Sequence, residues 1–264
     1  MGKNKLRKFA EMETLPMVFQ YPWGVLREHG FDLRGKWNKE FFGNDNPVTV
    51  ELGCGKGEYT VGLARRFPDR NFIGIDIKGA RMHSGATAAA AEGLKNVAFV
   101  RTSIELLDSF FAPGEVDSIW ITFPDPQMKK VTKRLTGTRF IELYRRVLSP
   151  EGTIHLKTDS PFLYDYTLMM ARHNGLEITD ADDDIDASGA RAADPVLAIY
   201  THYERQWLDR GLHIRHLAFV PGTAPALAEP PEAEDIPRDT YRSYSRGYIQ
   251  MPELMKDAEA ASEA

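Results

Sequence analysis

The chain has 264 residues, of which 42% are hydrophobic and 27% charged, and a formal net charge of −5. That is the composition of a folded globular protein with room for one large α/β domain and additional segments, which excludes a fibrous or wholly disordered chain. No apolar run approaches the ~18 residues that span a bilayer, no apolar signal core follows the basic start, and the single cysteine, Cys54, excludes an intramolecular disulfide and a cysteine-cluster zinc site. A cytoplasmic protein without membrane attachment is expected.

Residues 1–40 read as a basic extension and lead-in helix, with Lys3, Lys5, Arg7 and Lys8 clustered at the start. From 41 to 220 strand and helix signals alternate. Val48–Leu52 is a short strand ending in glycines, and Tyr59–Phe67 is helical in pattern until Pro68 and Asp69 stop it. Asn71–Ile77 is a second strand, Lys78–Leu94 a helix with an alanine-rich centre, Val97–Arg101 a third strand and Val116–Phe123 a fourth. Phe140, Leu143, Tyr144, Val147 and Leu148 form the apolar stripe of an amphipathic helix, and Thr153–Lys157 is a fifth strand. This alternation predicts a Rossmann-like, doubly wound α/β fold, a mostly parallel sheet with helices on both faces. Such sheets bind ligands at the carboxyl ends of their strands. Past Gly175 the pattern weakens to a polar loop over 180–194, a strand over 196–200 and a helix over 203–211. Residues 221–264 are rich in Pro, Ala and Glu and carry nine acids against four bases. They are expected to form a mobile acidic extension that docks through Tyr241, Tyr244 and Tyr248.

The net charge is unevenly spread. Lys129 to Arg146 holds seven bases against Glu142 alone, whereas Glu177 to Asp186 holds six acids and no base. Fields are screened beyond roughly 8–10 Å, so local charge decides what a surface binds, and an anionic partner remains compatible with an acidic chain.

The first motif is Gly53-Cys-Gly55-Lys-Gly57, directly after the first strand. Glycines let a backbone approach a ligand closely, and the following helix offers unpaired N–H groups. The spacing G-x-G-x-G is not the G-x-G-x-x-G of a dinucleotide site, which argues against an oxidoreductase. Asp76 ends the second strand, placed to accept hydrogen bonds from a ribose diol. Loop and acid together describe an adenosine site without a pyrophosphate, which suits S-adenosylmethionine. Ser103, after the third strand, either meets an adenine edge or caps the next turn. The fourth strand ends in Phe123-Pro-Asp125-Pro, where two prolines hold Asp125 at the tip. Lys129, Lys130, Lys133 and Arg134 follow as a candidate phosphate track. Asp159 ends the fifth strand beside Asp125, and Thr201-His-Tyr-Glu204 has the pattern of a capping box. His213 and His216 lack the acid or cysteine that would complete a metal site, so no metal is expected.

Taken in order, Glu51-Leu-Gly-Cys-Gly-Lys-Gly57, Phe123-Pro-Asp-Pro-Gln-Met-Lys-Lys130, Lys133-Arg-Leu135, Leu156-Lys-Thr-Asp159 and Thr201-His-Tyr-Glu204 resemble the bacterial tRNA (guanine-N7-)-methyltransferase family (TrmB). The likeness runs from about Gln20 to Val220 and departs at Gln127, Met128 and Ser103. It implies a class I methyltransferase domain, S-adenosyl-L-methionine as cofactor, tRNA as partner and a monomer or homodimer. The expected product is 7-methylguanosine at position 46 of the variable loop. By resemblance Glu51, Gly53, Gly55, Gly57, Asp76, Ser103 and Asp125 line the cofactor site. Lys129, Asp159, Thr201, His202, Tyr203 and Glu204 meet the RNA, and Asp125 is the catalytic residue. Nitrogen 7 of guanine carries a free lone pair, so the expected role of Asp125, with Asp159 or Glu204, is to accept hydrogen bonds from guanine N1–H and its amino group, not to remove a proton. A methyltransferase acting on another RNA, a small molecule or a protein would keep the loop and Asp76; for the last two the lysines would be unnecessary. A non-catalytic RNA-binding subunit would show a damaged loop, and this loop is intact. The acidic tail is expected to compete with RNA for the basic face.

Overall fold

A computed structural model describes residues 3–21, 23–223 and 226–241. Its eight strands are β1 (Val18–Gln20), β2 (Val48–Leu52), β3 (Asn71–Ile75), β4 (Val97–Arg101), β5 (Val116–Thr122), β6 (Leu148–Thr158), β7 (Glu177–Asp182) and β8 (Arg215–Val220). They form one sheet in the order β1-β4-β3-β2-β5-β6-β8-β7. Only β8 runs against its neighbours. The helices are α1 (Lys3–Glu13), α2 (Trp23–His29), α3 (Glu58–Arg66), α4 (Gly79–Ala91), α5 (Leu107–Phe110), α6 (Thr138–Arg145), α7 (Pro161–His173), α8 (Ala190–Ala193) and α9 (His202–Leu208). The expected doubly wound sheet is present, and none of the described helices is long and apolar enough to cross a membrane.

Strand alternation divides the molecule into two cores. Val50, Ile73, Val100, Ile119, Ile121, Ile154 and Leu156 face one side, where α6 and α7 pack through Phe140, Tyr144, Phe162 and Tyr166. Phe72, Phe99 and Trp120 face the other, against Tyr59 and Leu63 of α3 and Met82 and Ala86 of α4. The second face is also polar. The register aligns Thr49 with Ser118 and Thr153, and Glu51 with Trp120 and His155. Trp120, His155 and His216 stack, with 4.3 Å between the first two ring centres. Burial, with His216 alongside, pulls His155 down to about 3, so its ring is neutral in the stack.

Several segments differ from the sequence expectation: α6 ends at Arg145, and Leu148, expected on its apolar stripe, opens β6. Residues 195–198 form a turn where a strand was expected. The reason is that the Leu197 and Ile199 carbonyls accept hydrogen bonds from the buried Lys157 ammonium, at 2.9 and 3.0 Å. The expected polar loop from 180 begins inside β7, an edge strand whose acids discourage pairing with another chain. Residues 226–241 of the tail pack against the domain. Glu229 accepts from Tyr166 Oη at 2.6 Å and Thr138 Oγ1 at 2.7 Å, and Ile236 enters the core. Asp239 accepts from Ser160 Oγ at 2.5 Å and Phe162 N at 3.1 Å, so it seals the α7 N-terminus that Ser160 caps. Here proline and alanine serve an extended segment laid over the domain. Tyr244 and Tyr248 lie outside the described residues.

Hydrogen bonds to charged groups contribute about 1.5–3 kcal/mol each. Ending the chain at Val220 is therefore expected to lower the denaturant unfolding free energy by at least about 2 kcal/mol. A truncated chain as stable as the full one would contradict this packing.

Candidate active site

The glycine loop between β2 and α3 turns three times through left-handed backbone, with φ of 74° at Gly53, 55° at Gly55 and 72° at Gly57. Side chains are strained there, which accounts for the glycines. Gly57 also lies against α4, where an added Cβ would stand 2.7 Å from the Phe99 ring and 3.2 Å from Gly85. At Gly53 a Cβ would meet nothing within 4 Å, so that part of the loop is open to a ligand. Asp76, just past β3, is fixed by both oxygens: Oδ2 accepts from Gly55 N at 2.9 Å and Oδ1 from Lys78 N at 2.6 Å. A carboxylate has about four lone-pair positions, so acceptor capacity is left over. Beside it, Ile77 is 61% exposed and borders a hollow of about 450 Å³ that Tyr21, Trp23, Thr102 and Ser103 also line. The Ser103 side chain makes no capping bond to the turn that follows.

Glu51 does not open onto this hollow. It is 2% exposed and accepts from Thr60 N at 2.9 Å, from Thr60 Oγ1 and from Thr122 Oγ1 at 2.7 Å. Burial raises its carboxyl to about 7 despite these donors. Glu51 thus ties the end of β2 to α3 and β5, and acts on the loop through the backbone it holds.

Asp125 stands exposed at the tip after β5. Phe123 and Gln127, on either side, both have φ of 48° and are the only described non-glycine residues with positive φ. Such strain is held only where the surroundings enforce it. Here Asp125 Oδ1 accepts from Gln127 N at 3.0 Å, and Arg134 donates to the Pro126 and Gln127 carbonyls at 3.3 Å each. Arg134 is 2% exposed, and its guanidinium carbon lies 3.8 Å from the Tyr166 ring centre. The expected phosphate track is corrected accordingly. Arg134 is a buried strut, Arg139 pairs with Glu105 at 3.0 Å, Arg146 with Asp108 at 2.9 Å, and Arg145 with Glu142 and the Pro221 carbonyl. Lys129, Lys130 and Lys133 remain exposed.

Two of the expected base contacts have partners within the chain. Glu204 is fully buried, shared by Lys157 at 2.9 Å and Arg191 at 2.7 Å, and closes the capping box with Thr201. Lys157 is pulled down to about 8 by burial, against the pull of Glu204. The Leu156-Lys-Thr-Asp159 and Thr201-His-Tyr-Glu204 blocks thus meet as one buried ion pair, and Thr201 is a cap. Asp159 is fully buried, and its Oδ2 accepts from Tyr241 Oη at 2.7 Å. Sequence reasoning missed Arg191, Lys157 as a partner, and Tyr241 as the group that covers Asp159. The pairing of a lone buried lysine on β6 with the capping-box acid was the available signal. His202 and Tyr203 are exposed, with His202 N donating to Glu58 at 2.8 Å.

The raised Glu51 carboxyl has a consequence for stability. Between about 4.5 and 7 the folded chain holds a proton that the unfolded chain has released, so its contribution is present at low pH and is lost as pH rises through 7. The wild type should lose about 3 kcal/mol more than Glu51→Gln across that interval, at about 1.4 kcal/mol per pH unit. Parallel denaturation of both chains at several pH values checks this, and equal slopes would contradict it.

A family model described as "Putative methyltransferase" (Methyltransf_4) matches residues 45–217. The chain is 56% identical to the tRNA (guanine-N(7)-)-methyltransferase of Bacteroides fragilis over 246 residues, covering 93% of this chain and 96% of the relative. A match of that span takes in Tyr241. The relative of the same name from Porphyromonas gingivalis is 59% identical, covering 89% and 96%. That from Christiangramia forsetii is 52% identical, covering 83% and 98%. Among solved structures, an antibiotic-related methyltransferase is 20% identical with a TM-score of 0.54, covering 72% of this chain and 94% of that one. The 16S rRNA methyltransferase KamB is 15% identical at 0.52, covering 69% and 90%; both likenesses concern the fold. With its intact glycine loop, its braced Asp125 tip and these relatives, the chain belongs to the tRNA (guanine-N(7)-)-methyltransferase family.

Proposed function

We propose that the chain transfers the methyl group of S-adenosyl-L-methionine to nitrogen 7 of guanosine 46 in the variable loop of tRNA. The observation that carries this is Asp125, presented exposed by strained backbone at the carboxyl end of β5, just ahead of the exposed Lys129, Lys130 and Lys133. The names of the relatives support tRNA and nitrogen 7.

The residues present fit the cofactor. Gly53 leaves its side of the loop open, Asp76 retains acceptor positions for ribose hydroxyls, and Ile77 with Ser103 walls the hollow where adenine would lie. When bound, the sulfonium supplies an electrophilic methyl. Guanine nitrogen 7 needs no proton removed, so the chain's task is orientation. With Asp159 covered and Glu204 buried, Asp125 is the carboxylate left to accept hydrogen bonds from the guanine N1–H and amino group. Its Oδ1 already accepts from Gln127 N, and its negative charge favours the ring as it becomes cationic. His202 and Tyr203, expected to meet the RNA, offer exposed rings. Removing guanosine from its tertiary contacts costs a few kcal/mol, offset by pocket and phosphate contacts. All of these residues come from one chain.

Asp125→Asn is expected to lower kcat on unmodified tRNA about 10- to 100-fold, the equivalent of roughly 1.5–3 kcal/mol for a charged hydrogen-bond acceptor. Affinity for S-adenosylhomocysteine should change little. Full activity in the variant would refute the role given to Asp125.

A further inference from the structure

A second cationic surface adjoins the glycine loop, where Lys56 and Gly57 line it. Residues of α3 and α4 and the segment leading into α9 enclose a hollow of about 490 Å³, lined among others by Lys56, Arg65, Arg66, Tyr200 and Arg205. Arg65 is neutralised by Glu92, and Glu58 is engaged by His202 N. Among the described residues, Lys56, Arg66, Arg81 and Arg205 have no carboxylate within salt-bridge distance. Arg66 donates only to the Pro195 carbonyl. Arg81, Ser84 and Ala88 follow one another along one face of α4, so Arg81 continues the hollow toward Tyr203, over whose ring it lies at 6.0 Å. Arg205 lies 5.6 Å over the Tyr200 ring, and Tyr200 and Tyr203 are 39% and 36% exposed.

We infer that this strip is a second binding surface for the phosphodiester backbone of tRNA, beside the glycine loop and in addition to Lys129, Lys130 and Lys133. The inference rests on the tRNA reading above and adds where the RNA lies. Unpaired cations interleaved with exposed aromatic rings match a nucleic-acid strand, whose phosphates neutralise the charge and whose bases or riboses lie on the rings. From Lys56 to Arg66 the strip follows α3, roughly 12–15 Å at helical rise, which is room for more than one phosphate. One end is the glycine loop itself, so RNA held there leads into the site. Two separate grips on one RNA give the leverage that pulling one base out of folded tRNA requires. An acidic protein would meet the same charge but has no need of a surface continuous with the reaction centre.

The test compares the wild type with the double variant Arg81→Gln/Arg205→Gln, neither residue having another bonded role. Affinity for unmodified tRNA is measured from 50 to 200 mM salt, alongside S-adenosylhomocysteine affinity and the thermal midpoint. Affinity should fall about tenfold at low salt and the slope of log K on log salt should flatten by about 1.5, with cofactor-product affinity and midpoint unchanged. A double variant with wild-type tRNA affinity and slope would overturn the strip while leaving the functional reading intact. A wild type that binds no tRNA would overturn both.

Discussion

The buried carboxylate of Glu51 is the constraint on which the arrangement of the site depends. It sits where β2 gives way to the glycine loop and accepts from Thr60 on α3 and Thr122 on β5. A polar group taken out of water must find partners inside the protein, so burying this carboxyl fixes the loop's flanking helix and the strand that carries Asp125 in one relation. Lys157, Glu204 and Arg191 do the same on the neighbouring strand, joining β6 to α8 and to the start of α9. Removing one partner of such a buried group costs several kcal/mol, because the others are left unpaired. The carboxyl rim is rigid for this reason, and it presents few groups: the half-buried Asp76 and the exposed Asp125, His202 and Tyr203.

Charge is sorted by the fold into structural and available parts. Of the basic run from Lys129 to Arg146, the arginines are spent within the protein: Arg134 on the backbone of the Asp125 turn, the others on Glu105, Asp108, Glu142 and the Pro221 carbonyl. The lysines remain in solvent, as suits a compact, strongly hydrated charge on a flexible stem. Acids concentrate on the edge strand β7, where Asp180 also accepts from His216 at 2.6 Å. The net charge of −5 therefore says little about the surface RNA would meet.

What was legible in the sequence were the features that constrain the backbone. Gly53, Gly55 and Gly57 announce positive φ, Pro124 and Pro126 announce a held tip, and the β-branched and aromatic runs announce β2 to β5 with boundaries near those observed and the second half of β6, which starts at Leu148. What was not legible were roles decided by distant covering segments. Asp159 reads as a rim carboxylate until Tyr241 is laid over it, and Glu204 reads as a base contact until Lys157 and Arg191 converge on it. The run 196–200 has strand composition, yet a buried ammonium takes its carbonyls. The tail has the composition of a mobile segment, but Glu229, Ile236 and Asp239 are enough to bind it down as far as Tyr241. In each case the sequence states the residue and only tertiary contact states its partner.

The central claim is that this rim delivers one guanosine of tRNA to a methyl donor. It is tested most directly by locating the product. Unmodified tRNA would be incubated with the full-length chain and S-adenosyl-L-methionine, then cleaved chemically at 7-methylguanosine, beside the same tRNA carrying adenosine at position 46. The account predicts cleavage at position 46 in the first RNA and none in the second. Cleavage at another guanosine, or none in either RNA, would contradict it.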